Sequence, residues 1–266
     1  MTDEPRATAP TLEPLLADLA AEQAALDDAV ASLPVEGWDT PTPAPGWAVR
    51  HQIAHLTYFD EQAALAATDA AAFESARDAM IADLGTIDTA GVYVPLPAPD
   101  LLAQWRSARR AVADAFGSID PKARLPWYGP PMSARSAVTA RLMECWAHGV
   151  DVTDALGLPP TASDRLRHVA HLGVVTRGWS YAVRGRSAPA AEVAVVLDPP
   201  DGADPWMWGD QAADDRVAGS ALDFCLVVTQ RRPMAAADLT VTGNAAAEWM
   251  AIAQAFAGAP TETTRE

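Results

Sequence analysis

Residues 133–156 carry Val138, Leu142, Cys145, Gly149, Val152 and Leu156 at alternating intervals of four and three. That period fits one stripe of an α-helix and no strand. A stripe this long needs another helical surface to cover it, so this part of the chain has to fold as packed helices. Ser133 is placed to cap the start, and Gly157 followed by Pro159 and Pro160 to end it. The same period runs through Leu12, Leu15, Leu16, Leu19, Leu26, Val30 and Leu33, with Pro34 as the stop. It returns in Val49, Ile53 and Leu56 of a helix over 47–68. Shorter helical stretches fall near 70–84 and 98–117, and a loop rich in Pro and Gly fills 120–132.

A further helix is expected over 163–184, and then the pattern changes. Residues 191–197 read as a strand and 206–208 as a short one. Residues 219–230 read as helix, 238–241 as extended chain and 244–256 as helix. The expected fold is mainly α, an all-helical N-terminal bundle over 1–160 with a smaller C-terminal α/β domain over 161–266. The boundary falls within 157–190, because the helix over 163–184 could belong to either part.

Half of the 266 residues are apolar and nine are Trp, enough to build a core. A formal charge of −16, spread over both parts, repels nucleic acid and anionic membranes and leaves no basic face. The start, Met1-Thr2-Asp3-Glu4-Pro5, lacks the basic-then-apolar pattern of a secretory signal, and no apolar run reaches membrane-spanning length. Cys145 and Cys225 are too few for a disulfide framework and read as reduced, buried, small hydrophobes. A soluble, cytoplasmic protein is expected.

Glu144 and His148 lie one turn apart on one face of their helix, at the margin of its core stripe. Two readings are open: a surface i,i+4 pair, or two side chains reaching the same ion. A third ligand has to come from elsewhere. His55 lies on the flank of the helix over 47–68, beside Phe59 and Gln52, with His51 pointing further outward. Packing the two helices would bring His55 towards Glu144 and His148. Two neutral imidazoles and one carboxylate suit Zn²⁺, or less specifically Fe²⁺ and Ni²⁺, with positions left open. Asp60, odd in an apolar stripe, orients a ligand, faces a solvent-filled cleft, or is a surface residue at a ragged margin. His168 and His171 could in principle bind metal, but no nearby carboxylate completes them, and they read as packing or capping residues. Signatures of serine hydrolases, P-loops, dinucleotide folds and zincins are absent.

The run from Trp38 to Trp47, then Val49-Arg50-His51-Gln52-Ile53-Ala54-His55-Leu56, then Glu144-Cys145-Trp146-Ala147-His148-Gly149-Val150-Asp151, resembles the mycothiol-dependent maleylpyruvate isomerase family. That family belongs to the DinB-like metal-binding four-helix bundles. The resemblance covers residues 11–157 and extends more loosely through Val217 to Ser220 and Asp238 to Gly243. The best match is an actinobacterial branch with no assigned reaction. It implies a DinB-like four-helix bundle with a divalent metal, usually zinc, on His55, Glu144 and His148. It also implies an arginine of the C-terminal domain facing the metal cleft, Arg231, with Arg232 the alternative because Gln230-Arg231-Arg232 stands where a Gly-Arg pair is usual.

In such isomerases a low-molecular-weight thiol, mycothiol, adds to a conjugated double bond, the bond rotates and the thiol leaves. The expected function is therefore a metal- and thiol-dependent isomerase or S-transferase acting on a small electrophilic or acidic molecule. The alternatives are a non-catalytic protein that binds metal or small molecules, and a dimerisation module stapled by metal.

Overall fold

Pro14 opens the first helix and Pro34 follows its end; the leucines between make its buried side. Leu15, Leu19, Leu26 and Val30 are buried along α1 (Glu13–Ala31). The structure, a computed structural model, describes residues 11–84 and 90–260. α2 (Val49–Thr68) follows, with α3 (Ala70–Leu84) folded back against it, then α4 (Ala98–Phe116). A hairpin of β1 (Arg124–Leu125) and β2 (Met132–Ser133) leads into α5 (Ala134–Ala155). α2 packs on α4 and α5, and α1 packs on α5 and α4, which closes a four-helix bundle.

Helix α5 has the ends its sequence calls for. Ser133 Oγ accepts from Ser136 N at 3.1 Å. At the other end Gly157 takes a left-handed φ of 67°, and Leu158 N returns to Thr153 O at 2.8 Å. Cys145 is buried, as is Cys225 further on.

Two short helices follow, α6 (Leu166–Val175) and α7 (Arg177–Ala182). Then come β3 (Val193–Asp198), β4 (Trp206–Trp208), β5 (Asp215–Ser220), α8 (Ala221–Val228), β6 (Leu239–Thr242) and α9 (Asn244–Ile252). The sheet order is β4-β3-β5-β6, with β3 and β5 parallel and the outer strands antiparallel to their neighbours. α8 and α9 pack against the sheet, while α6 packs on both α5 and α8. At Gly173 of α6 a Cβ would lie 2.8 Å from Val228 Cγ2, so glycine permits the α6–α8 approach. One continuous core includes Trp105 and Trp146 of the bundle and Tyr181, Phe224 and Trp249 beyond it.

The mainly helical class with a small sheet is as expected, but four details differ. The helix expected over 163–184 is two, broken at Thr176, whose hydroxyl donates to Leu172 O at 2.7 Å and ends α6. Residues 219–220 belong to β5, and Ser220 Oγ caps α8 by accepting from Asp223 N at 3.2 Å. β5 itself has no strand signal, since Asp214-Asp215-Arg216 and Gly219 disfavour one; full parallel pairing with β3 decides it. The final helix stops at Ile252. Among the described residues no helix is long and apolar enough to cross a membrane.

Asp60 is neither at the surface nor in a cleft. It is 1% exposed, accepting from Arg141 Nε at 2.9 Å and Trp105 Nε1 at 3.2 Å, and so ties α2 to α4 and α5. Burial pushes its carboxyl above the usual range against the opposing pull of Arg141. Arg141→Met strands that carboxylate and should lower stability by about 3–5 kcal/mol, read as a lower urea midpoint. The double variant Asp60→Leu/Arg141→Met should recover most of the loss.

Candidate metal centre

Three pairs set the register between α2 and α5: Gln52 with His148, His55 with Glu144, and Asp60 with Arg141. Numbers rise on one helix as they fall on the other, so the two run antiparallel with their polar residues aligned. Each pair forms because the flank of the apolar stripe on α2 faces the matching flank on α5.

The middle of this seam brings His55, Glu144 and His148 together, with one donor atom from each within 4.8 Å of the others. His148 Nε2 lies 3.2 Å from Glu144 Oε2, and His55 Nε2 lies 3.8 Å from the same oxygen. Ligands of a tetrahedral Zn²⁺ sit about 2.0–2.2 Å from the ion, hence roughly 3.3–3.6 Å apart. The two distances to Glu144 stand near that spacing, and the set, two imidazoles and a carboxylate, is one that zinc takes. A divalent ion therefore fits these residues.

Electrostatics favours the ligand forms. Burial, reinforced by the His148 ring beside it, pushes His55 down to about 4, so its imidazole is neutral at neutral pH. Burial raises the Glu144 carboxyl, but hydrogen bonds and charge from His148 and His55 outweigh it and hold the group well below the usual range.

Aromatic rings wall the set. Trp47 stacks on His148 at 6.0 Å and lies 5.3 Å from His55, while Phe59 meets His55 edge-on at 4.7 Å. Trp127 and Tyr128 extend the wall beyond Phe59. His51 turns away, its Nδ1 accepting from Ala48 N at 3.1 Å at the start of α2. His168 pairs with Asp18 at 2.8 Å, and His171 accepts from Trp208 Nε1 at 3.3 Å, both away from the set.

Arg231 reaches the back of the site. Gln230 ends α8 in a left-handed turn, φ 58°, where glycine is usual, and this aims the next two residues at α5. Arg231 Nη2 donates to Asp151 Oδ2 at 3.0 Å, Nε to Ala147 O at 3.1 Å and Nη1 to Thr229 O at 2.7 Å. Asp151 Oδ2 in turn lies 4.0 Å from His148 Nδ1. The guanidinium expected to face the cleft thus has all three nitrogens engaged inside the protein. Arg232 pairs with Asp154 at 2.6 Å. Sequence reasoning passed over Asp151 and Arg141; the spacing Arg141, Glu144, His148, Asp151 was the available signal, a polar stripe on one buried helix.

A helical bundle with a small α/β appendage and a His–Glu–His set between two bundle helices defines the class. The chain belongs to the mycothiol maleylpyruvate isomerase N-terminal domain family, whose sequence profile matches residues 19–153. Two uncharacterized proteins, from two strains of Mycobacterium tuberculosis, are 47% identical over 249 residues, covering 93% of this chain and 96% of theirs. A crystal structure of the mycothiol-dependent maleylpyruvate isomerase matches with a TM-score of 0.58 at 16% identity. A histidine-to-alanine mutant of that enzyme matches with a TM-score of 0.56 at 15% identity. Each alignment covers 87% of this chain and 93% of the other, and the likeness is one of fold.

The His55 shift has a consequence for stability. Without metal, the unfolded chain takes up a proton from about pH 6.5 downward that the buried imidazole refuses until about pH 4. Metal-free protein should therefore lose stability as pH falls through that window. His55→Gln should flatten the dependence, read from melting temperatures across the range.

Proposed function

We propose that this protein is a divalent-metal enzyme, most simply a zinc one, that uses mycothiol to isomerise a small electrophilic or acidic molecule or to transfer the thiol sulfur to it. The observation that carries it is the donor set between α2 and α5, with His148 buried, His55 and Glu144 half-buried, and half-exposed rings beside them. His55 and His148 would supply neutral nitrogen ligands and Glu144 one negative oxygen. A divalent ion held there lowers the pKa of an adjacent thiol and polarises a substrate carbonyl.

The chain does not supply the thiol. Cys145 is buried on the core side of α5, and burial pushes its thiol well above the usual range, so it stays protonated. An external thiol fits the family and the donor set. In isomerisation its thiolate sulfur bonds to one carbon of a conjugated double bond. The remaining single bond rotates, and the carbon–sulfur bond breaks to return the thiolate and the double bond in its new geometry. In S-transfer the new bond is kept, and a leaving group departs with the electron pair.

Trp47 and Phe59 would shield the reacting atoms from water and offer flat apolar faces to a conjugated substrate. Arg231 is assigned as a positioning residue. Clamping a substrate carboxylate would require it to release Asp151, a 1% exposed carboxylate, at a cost of about 3–5 kcal/mol. The two unpaired cysteines accord with the reducing cytoplasm, the compartment we assign.

Protein purified without a histidine tag should carry stoichiometric zinc by elemental analysis, and His55→Ala should lose it. With mycothiol present, loaded wild type should convert an electrophilic test compound, to its geometric isomer or to a sulfur adduct, and His148→Ala should not, with unchanged circular dichroism. Metal retention without mycothiol-dependent conversion of the compound would favour the sequestering protein instead, and absence of metal from wild type would overturn the reading.

A further inference from the structure

Donation runs in one direction from His148 to a backbone carbonyl, and the bonds at the carbonyl end fix which ring nitrogen carries the hydrogen. Thr42 Oγ1 donates to Trp47 O at 3.0 Å. A hydroxyl has a single hydrogen, so towards Gln52 the same oxygen can only accept. Gln52 Nε2 donates to it at 2.9 Å. The other end of that amide, Oε1, is an acceptor and sits in a short contact with His148 Nδ1. Nδ1 therefore carries the hydrogen and Nε2 keeps its lone pair. Gln52 is wholly buried, so solvent does not compete for either end of its amide. Asp151, the other acceptor on that side, stands at 4.0 Å and is held there by Arg231.

The lone pair of Nε2 faces Glu144 Oε2 at 3.2 Å. Two acceptors at that distance repel unless a proton or a metal cation lies between them; the hydrogen bond that lowers the Glu144 carboxyl is the first case, a shared ion the second. The relay thus builds, from residues outside the donor set, the electronic demand that a cation satisfies.

We propose that Gln52 is a positioning residue that locks His148 as the Nδ1–H tautomer, with Thr42 setting the orientation of its amide, so that Nε2 is presented to a divalent cation shared with Glu144 and His55. The inference rests on the metal reading above for the identity of the cation, and on the hydrogen-bond directions alone for the tautomer. Hydrogen-bonding the far nitrogen of a ligating histidine fixes its ring and raises its basicity, and loss of such a partner costs roughly 10–100-fold in metal affinity.

The test has two readouts. In metal-free protein labelled with ¹⁵N-histidine, at mildly alkaline pH, His148 should show the Nδ1–H pattern. Gln52→Leu, which cannot accept, should shift the ring to the other tautomer or a mixture. In competition with a chromophoric chelator, Gln52→Leu should bind Zn²⁺ about 10–100-fold more weakly than wild type. Gln52→Glu keeps an acceptor and should stay within a few-fold of wild type, while Thr42→Val, which frees the amide to flip, should fall between. Should Gln52→Leu fail to fold, Thr42→Val and Gln52→Glu carry the comparison. An unchanged tautomer with unchanged Zn²⁺ affinity in the variants overturns the proposal. Wild type that binds no Zn²⁺ yet shows the Nδ1–H pattern removes the metal reading and leaves the tautomer lock standing.

Discussion

Helix α5 is enclosed by α1, α2 and α6 and touched from below by the arginines that follow α8, so polar side chains along it need partners inside the protein. It carries five such groups at intervals of three and four: Arg141, Glu144, His148, Asp151 and Asp154. Each is met. Asp60 answers Arg141, His55 answers Glu144, Gln52 answers His148, and Arg231 and Arg232 answer the two aspartates. A shift of one residue between α2 and α5 would strand several buried charges at once, so this ladder fixes the register that apolar packing alone would leave loose.

The ladder also joins the two halves of the fold. Its upper rungs come from α2, inside the bundle, and its lower rungs from the turn after α8, beside the sheet. Gln230 accepts a left-handed backbone to make that turn, and Arg231 and Arg232 then dock on the last two turns of α5. The sheet-bearing part is thereby joined through Asp151 to the far side of His148. The donor set sits at the midpoint, where the rungs change from complete ion pairs to a cluster of acceptors around a common point.

Much of this was legible in the chain. The four-and-three stripes of α1, α2 and α5 gave the bundle helices, and Ser133 and Gly157 marked the ends of the last. Helical-wheel reasoning brought His55, Glu144 and His148 to one seam, and the structure places their donor atoms together. What escaped was whatever depends on a partner distant in sequence. β5 exists because β3 pairs with it, against its own composition. Nothing in the sequence gives Arg141 and Asp151 partners until the neighbouring helix and the arginine turn are known. Asp60 looked irregular because its partners, Arg141 and Trp105, lie 81 and 45 residues away.

The account stands on His55, Glu144 and His148 sharing one ion. X-ray absorption at the zinc edge of the loaded protein reads that shell directly. Two imidazole nitrogens and one carboxylate oxygen at about 2.0–2.2 Å, completed by a light exchangeable ligand, is the predicted shell. A shell without imidazole scattering, or one containing sulfur from the chain, would contradict it.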